Sequence, residues 1–165
     1  MLFLCAFLLP AVLVVNAFYV RSLADGLPER VATHFGFDGR PDRWMSRQGF
    51  VRFATYFPIG LALLMVGLGF GSRYLDPNSL HVAHAAYWRS PDHYIEACNR
   101  LMGALCIFAC GITVFVAFVW RVTAQAQSKD PVRIDVKSLI GAVLPFGVFM
   151  ACWCIWLSRM YDLPK

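Results

Sequence analysis

Residues 52–73 read RFATYFPIGLALLMVGLGFGSR, and this stretch decides the fold. Two arginines, Arg52 and Arg73, enclose 20 residues that carry no charged side chain. Twenty residues of α-helix are about 30 Å long, which matches the hydrocarbon core of a lipid bilayer. An arginine costs about 2.5–3.5 kcal/mol at the bilayer centre, whereas at either end it reaches the headgroups. The stretch therefore predicts a transmembrane helix over residues 53–71.

The same pattern of two basic residues around an apolar run occurs twice more. Arg100 and Arg121 are 21 residues apart, and Lys137 and Arg159 are 22 apart. A fourth apolar run ends at Arg21. Because it lacks a basic segment before it and a small-x-small cleavage site after it, we expect a retained span rather than a signal peptide. The four runs predict an all-α integral membrane protein, a four-transmembrane-helix bundle forming a single membrane domain over residues 1–165, with spans at about 2–20, 53–71, 101–120 and 139–157 and an ordered loop, such as a β-hairpin, within 22–52.

The composition agrees with a membrane protein and argues against other classes. Hydrophobic residues make up 59% of the 165 residues, and the mean hydropathy is +0.57. A soluble domain contains about 45–50% apolar residues. The net charge of +5 comes from Lys and Arg at the span ends rather than from a run that would follow a phosphate backbone. We therefore expect the lipid bilayer, and no nucleic acid, as a partner.

Small and polar residues inside the spans predict how the helices pack. Asn16 and Thr113 are the most polar of them, and we expect helix–helix hydrogen bonds from both. Small residues at packing spacings predict close contact inside the bundle, with a homo-oligomer built on the same faces as the alternative. They are Gly67 and Gly71 in the second span, and Gly103, Cys106, Cys110 and Gly111 in the third.

The basic residues also predict the orientation in the membrane. Antiparallel spans place the loop after span 1 (loop 1) and the loop after span 3 (loop 3) on one side. Both termini and the middle loop (loop 2) then lie on the other side. Ten Lys and Arg residues lie on the side of loops 1 and 3, and five on the other. Because short basic loops stay in the cytoplasm, loops 1 and 3 are predicted to be cytoplasmic.

Loop 1 contains the most informative polar sequence, LPERVATHFGFDGRPDRW at residues 27–44. Apolar residues alternate with smaller or polar ones, which predicts a short strand with one apolar face. The alternating residues are Val31, Thr33, Phe35 and Phe37. Asp38-Gly39 predicts a tight turn, Arg40-Pro41-Asp42 a second bend, and Trp44 an anchor at the membrane interface. We expect an ordered cap on the bundle, held by Asp/Arg pairs.

Loop 2 contains two signals for helix ends. Asp76-Pro77-Asn78 predicts the stop of the second helix, since proline cannot continue it. Ser90-Pro91 predicts an N-cap followed by proline in the first helical position. The third helix is therefore expected to begin near Ser90, before it enters the membrane.

Loop 1 resembles DUF1648, a membrane family of unknown function that also forms the N-terminal module of SdpI-type immunity proteins. The family pattern is Leu-Pro, then His-Phe/Trp, then Asp/Asn-Gly-x-Pro-Asp-x-Trp, between the first two spans. The matching residues are Leu27, Pro28, His34, Phe35, Asp38, Gly39, Pro41, Asp42 and Trp44. A second family element, Tyr-Trp-x-x-Pro-Glu-x-Arg, precedes the third span. Tyr87, Trp88 and Pro91 match it, Asp92 replaces the acid, and the arginine is absent.

The resemblance covers roughly residues 1–100 and implies a bacterial protein of the cytoplasmic (inner) membrane, multi-pass and without an assigned molecular function. It implies an envelope immunity, sensing or stress role, with a protein or peptide partner bound by loop 1. Trp44, Phe35 and Phe37 would supply the aromatic contacts. The Gly-x-Arg-Thr-Pro-Trp-like element that follows in SdpI-type proteins is not found in this chain. An accessory subunit of a membrane complex is an alternative function.

No catalytic motif accompanies these features, so we expect a protein without enzyme activity and without a cofactor. His34 lies near Asp38 and Asp42, and we expect it to form a hydrogen bond within the folded loop. A metal- or thiol-dependent membrane enzyme on the loop 2 side is a further alternative, since Cys and His bind zinc or copper. Its weak candidate ligands are His81, His84, Cys106 and Cys152, which the sequence otherwise explains as packing residues.

Overall fold

The computed structural model describes residues 2–36 and 38–163. Four helices in it are long and apolar enough to cross a membrane, and a two-stranded antiparallel hairpin lies between the first two. This confirms the predicted fold class. The elements in chain order are α1 Leu2–Ala24, β1 Arg30–Phe35, β2 Pro41–Ser46, α2 Arg47–Gly71, two 3-10 turns Ser72–Tyr74 and Pro77–Ser79, α3 Ala85–Trp88, α4 Pro91–Gln127 and α5 Val136–Arg159.

The centre of the bundle is formed by α1, α2 and α4, which pack on one another, whereas α5 packs chiefly against α4. Small and flexible side chains fill this centre, so the helices approach closely. They are Cys5 and Leu9 from α1, Ala62 from α2, and Met102, Cys106, Ala109 and Cys110 from α4. Large apolar side chains point outward, as lipid-facing residues do, with Phe7 73% and Leu63 68% exposed.

The glycines of α2 do not all pack as predicted. Gly69 lies against Met102 of α4, whereas nothing lies within 4 Å of a side chain built at Gly67 or Gly71. The predicted packing of Gly67 and Gly71 inside the bundle is therefore wrong, because the helix turns both residues away from α4. In α4, Gly111 does pack closely, against Phe149 of α5.

Replacing Gly69 by alanine is expected to destabilise the bundle by about 1–3 kcal/mol, since overpacking forces the backbone to shift. The new methyl would lie 3.0 Å from the Met102 Cα, and a backbone atom cannot rotate away. Gly67→Ala is the matched control and should be neutral or stabilising by up to about 1 kcal/mol. Unfolding in mixed micelles, followed by circular dichroism, measures both. Equal effects of the two variants would contradict the close contact between α2 and α4.

The helix α4 is longer at its C-terminal end than the sequence predicted. Its 37 residues continue past Arg121 to Gln127, so loop 3 is correspondingly shorter. Alanine and glutamine favour helix in this segment, and its inner face, Val122, Thr123 and Ala126, is buried. The predicted start is confirmed, because α4 begins at Pro91 after Ser90. The Ser90 hydroxyl does not cap the helix, however, and donates to the Tyr87 carbonyl at 2.8 Å instead.

The predicted stop of α2 is displaced by a few residues. The α-helix ends at Gly71, and a 3-10 turn follows before Asp76 is reached. Asp76 instead caps the second 3-10 turn by accepting a hydrogen bond from the Asn78 N–H at 2.9 Å.

Candidate functional site

The hairpin formed by β1 and β2 packs on the end of the bundle as a cap. Val31 and Ala32 of β1 have no exposed surface. Val31 packs with side chains from the ends of α1 and α2, and Trp120 of α4 covers this cluster from the side. The buried members are Val20, Leu27, Phe50 and Ala54. The Phe50 and Trp120 rings meet edge to face, with centroids 5.6 Å apart. Apolar burial therefore fixes one face of the hairpin.

Gln127, the last residue of α4, binds the backbone of β1 at two points. Its Oε1 accepts from the Ala32 N–H at 3.0 Å, and its Nε2 donates to the Ala32 carbonyl at 3.1 Å. The same Nε2 also donates to the Thr123 carbonyl at 2.8 Å. The side-chain amide thus binds the N–H and the carbonyl of Ala32 as the backbone of a third strand would. Both backbone groups therefore have a hydrogen-bond partner.

The tip of the hairpin binds loop 3. The Ile134 N–H donates to the Gly39 carbonyl at 3.1 Å, and the Arg133 guanidinium donates to the Asp38 carbonyl at 2.9 Å. Gly39 is buried and has φ +78°, a conformation that favours glycine. Loops 1 and 3 thus lie at the same end of the bundle, as the antiparallel spans predicted.

Loop 3 leads directly from this contact into α5. Asp135 caps α5 and accepts hydrogen bonds from Ser138 and Lys137. The Ser138 hydroxyl and backbone, with the Lys137 backbone and the charge of Lys129, hold the pKa of Asp135 below its usual value. The carboxylate therefore stays ionised, as suits a helix N-terminus. The hairpin tip and the start of α5 are joined within a few residues.

The other face of the hairpin is open and carries polar and aromatic side chains. His34 Nδ1 and Asp42 Oδ1 are 2.6 Å apart, and the two side chains are 62% and 52% exposed. This is the hydrogen bond that the sequence predicted for His34. Arg40 and Asp38 form a looser pair at 3.6 Å, and Trp44 is 41% exposed. We call this set, His34, Asp38, Arg40, Asp42 and Trp44, the open face.

The remaining residues of the family pattern hold the hairpin in place. Leu27 is buried, and Phe35 and Pro41 are half-buried opposite each other where the strands end. Pro28 is exposed, and its carbonyl accepts from the Arg47 Nε at 3.4 Å. The sequence predicted one recognition role for eight of these nine residues, all except Leu27, whereas the structure divides them between the fixed and the open face.

Two details of the predicted strand are wrong. The alternation of buried and exposed residues already fails before the β-bulge at Thr33, because the neighbours Val31 and Ala32, paired with Met45 and Trp44, are both buried. Pro41 and Asp42 lie in β2 rather than in a second bend, because Gly36 and Arg40 already close the turn through a 2.9 Å backbone hydrogen bond. The predicted contact from Phe37 lies outside the described residues.

The second family element forms an aromatic cluster at the opposite end of the bundle. Trp88 is fully buried, and its Nε1 donates to the Tyr161 carbonyl at 2.7 Å. Tyr87 and Tyr161 meet its ring edge to face, and the Arg100 guanidinium lies 4.5 Å from the ring centroid. Pro91, the third residue of the element, is exposed in the first turn of α4. The element therefore joins loop 2 to the end of α5.

Arg100 and Tyr161 are the members of this cluster that sequence reasoning missed. Arg100 donates to Glu96 and to the Met160 carbonyl. Burial raises the pKa of Tyr161 to about 12, with Cys98 adding to the effect and Arg100 opposing it. The phenol therefore stays protonated and donates to the Ala97 carbonyl at 3.2 Å. In the sequence, Arg100 only marks the start of a span. That position does not predict that its guanidinium lies over an indole ring.

The weak metal-ligand candidates lie apart from one another. Cys106 is buried against Cys5 of α1, whereas Cys152 is exposed on α5. His81 lines a cavity of about 570 Å³ near the loop 2 end, and His84 is exposed at the start of α3. Within residues 2–36 and 38–163, no three His, Cys, Asp or Glu side chains are grouped to hold a metal ion.

The polar residues inside the spans follow the prediction in part. Asn16 Nδ2 donates to the Ala54 carbonyl of α2 at 3.3 Å, which is a hydrogen bond between helices. Thr113 donates to the Ala109 carbonyl of its own helix at 2.7 Å, so the predicted bond between helices is wrong there. A hydroxyl can reach the carbonyl four residues earlier without a neighbouring helix.

Comparison with known proteins supports the resemblance for the first third of the chain. Residues 2–55 match the family model described as a domain of unknown function, DUF1648. The match covers α1, the whole hairpin and the first turns of α2, and stops before the second element. No curated protein and no solved structure matches the chain.

Proposed function

We propose that this multi-pass membrane protein, which carries a DUF1648 domain at residues 2–55, has no enzyme activity and binds a protein or peptide partner through the open face of its hairpin. The role is envelope immunity, sensing or stress response in the cytoplasmic membrane of a bacterium. The observation that carries the proposal is the division of the hairpin into two faces. One face is fixed to three helices and loop 3, and the other leaves charged and aromatic side chains free.

The chemistry of the open face suits recognition. Tryptophan and arginine are enriched among the residues that dominate binding at protein interfaces, and Trp44 and Arg40 are both exposed on the open face. The His34–Asp42 hydrogen bond holds two further side chains of this face in place before a partner arrives. Binding therefore costs less conformational entropy than it would on a flexible loop.

The ordered structure of the hairpin also supports a role in binding a partner. A loop that only connected two spans would not need two hydrogen bonds to Gln127 and two more to loop 3. Functional residues are often carried by loops that a rigid scaffold positions. Because loop 3 leads directly into α5, a partner bound at the hairpin tip would also lie within a few residues of the start of this helix, which is at the edge of the bundle.

The test is complementation of a deletion strain that is challenged with membrane-active peptides and envelope stresses. Wild type should restore resistance to at least one condition, and Trp44→Ala should lower that protection about tenfold or more, as loss of a central interface residue does. His34→Ala combined with Asp42→Ala should act in the same direction. Membrane levels of each variant are measured in parallel.

Tyr74→Ala is the matched control, because Tyr74 is an aromatic residue 77% exposed at the opposite end of the bundle. It should complement as wild type does. The proposal is wrong if Trp44→Ala inserts at the wild-type level and protects fully against every stress that wild type relieves. It also fails if the deletion strain matches its parent under all conditions.

A further inference from the structure

Sulfur is concentrated at the centre of the bundle, where α1, α2 and α4 meet. The 165 residues include six Cys and six Met. Five of these belong to one cluster of ten packed side chains, whose other members are Leu, Val and Ala. Sulfur is therefore the only side-chain element in the cluster that can bind a metal ion. We call its five sulfur-containing residues the sulfur cluster: Cys5 of α1, Met65 of α2, and Met102, Cys106 and Cys110 of α4.

The side chains of Cys5 and Cys106 lie against each other between α1 and α4. Both thiols are free, and both residues are buried. The Cys5 Sγ donates to the Gly103 carbonyl at 3.8 Å, which places it less than one turn before Cys106 along α4. The Cys106 thiol in turn has the Cys5 thiol as a neighbour. Two helices thus each contribute one thiol at the same level of the bundle.

Met102 adds a third sulfur donor beside this pair. It lies four residues before Cys106, and residues four apart share one face of a helix. Its side chain is buried between α4 and α2, with the Sδ beside Gly69. Methionine has three rotatable side-chain bonds, so the thioether can turn toward the two thiols while the backbone stays in place.

This set of donors selects a soft cation. Thiolates and thioethers favour Cu(I), whereas Ca²⁺ and Mg²⁺ require oxygen ligands. Zinc takes four ligands from Cys, His and carboxylate side chains, and a thioether is not among them. Across residues 2–36 and 38–163, no three side chains of the types that bind zinc are grouped at one place. Two thiols and a thioether therefore suit Cu(I) better than zinc.

We propose that Cys5 and Cys106 bind one Cu(I) ion between α1 and α4, with Met102 as the third ligand. The ion displaces one proton from each thiol and binds the two thiolates, and its oxidation state does not change. The thioether adds a neutral donor. The site lies inside the bundle, away from the open face of the hairpin, so it does not depend on the proposed function.

The test measures Cu(I) binding to the purified full chain in nanodiscs of phosphatidylcholine. The thiols are kept reduced, oxygen is excluded, and a coloured Cu(I) chelator competes for the ion. The protein should bind one Cu(I) per chain, and X-ray absorption at the copper edge should show sulfur neighbours only. An excess of Zn(II) should not displace the Cu(I), because zinc lacks a complete set of ligands here.

Four variants assign the ligands. Cys5→Ala and Cys106→Ala should each weaken Cu(I) binding about a hundredfold or more, since loss of an outer partner alone costs about 10–100-fold. Alanine is chosen because serine would bury an unpaired hydroxyl. Met102→Leu keeps the side-chain volume and should weaken binding about tenfold. Cys98→Ala is the matched control, an equally buried cysteine of α4 outside the sulfur cluster, and should bind as wild type does.

Where an alanine variant fails to insert, the X-ray absorption spectrum of the wild-type protein still decides. Oxygen or nitrogen neighbours around the ion, or displacement by Zn(II), would overturn the proposal. So would an inserted Cys106→Ala variant that binds Cu(I) as tightly as Cys98→Ala, or wild-type nanodiscs that take up no more Cu(I) than empty ones.

Discussion

Replacing Gln127 by alanine is expected to lower the free energy of unfolding by about 2–4 kcal/mol, because two backbone groups lose their partners. Each unpaired buried group costs about 1–3 kcal/mol, and the lower part of that range applies because Gln127 is half-buried. Both groups belong to Ala32, which has no exposed surface. The hairpin should therefore separate from α4 at a lower denaturant concentration. Unfolding in mixed micelles, followed by circular dichroism, measures the change.

Gln125→Ala is the control, since Gln125 is exposed two residues earlier in the same helix and has the same helix propensity. It should change stability by less than about 0.5 kcal/mol. Gln127→Glu keeps the acceptor for the Ala32 N–H but places a carboxylate oxygen against the Ala32 and Thr123 carbonyls at the C-terminus of α4, so it should destabilise the protein at least as much as Gln127→Ala. Equal stabilities of the Gln125 and Gln127 variants would show that the hairpin does not depend on α4.

Trp88→Ala is expected to cost about 3–5 kcal/mol, the range for removal of a large buried aromatic side chain. Trp88 is enclosed by Tyr87 and Tyr161, and Arg100 lies over its ring. The substitution leaves a cavity between loop 2 and the end of α5 and removes the ring from beside a part-buried cation. The same unfolding measurement applies, and loss of inserted protein in cells should accompany it.

Trp88→Phe separates the ring from its hydrogen bond. It keeps most of the apolar volume and loses the bond to the Tyr161 carbonyl, so it should cost less than Trp88→Ala, with about 1 kcal/mol of the cost due to the bond. Trp44→Ala is the comparison in the hairpin, where the ring is 41% exposed and stability should change by less than about 1 kcal/mol. If Trp44→Ala destabilised the protein as much as Trp88→Ala, the open face would be part of the core.

The four helices could be predicted because bilayer thickness fixes the length of a span, and the cost of a buried charge keeps Lys and Arg at its ends. Arg52 and Arg73 marked a span without knowledge of any neighbour. The ends of the helices depend on neighbours and were predicted less well. The last turns of α4 fold against the hairpin, and no local signal after Arg121 shows that contact.

The packing of small residues could not be predicted from spacing alone. Gly67, Gly69 and Gly71 differ by two positions, which is enough to turn a side chain to a different face of a helix. Only Gly69 faces α4. A glycine spacing typical of helix contacts therefore does not reveal which face is used, or whether the partner helix belongs to the same chain.

The candidate site, too, could be predicted only in part from the sequence. The Asp38-Gly39 turn could be predicted, because a tight turn with φ above zero needs these residue types. The bulge at Thr33 and the amide of Gln127 could not. Gln127 lies 95 positions from Ala32 in the sequence, and the two meet only because α4 returns to the hairpin end of the bundle.

Hydrogen exchange of the backbone amides, measured on the wild-type protein in nanodiscs, is the most direct test of the central claim that loop 1 is an ordered cap with one fixed face. The amides of Ala32, Gly39 and Ile134 should exchange slowly, and segments 30–46 and 132–136 should be protected together. Exchange in segment 30–46 at the rate of an unstructured peptide would contradict an ordered cap and would remove the basis for recognition by its open face.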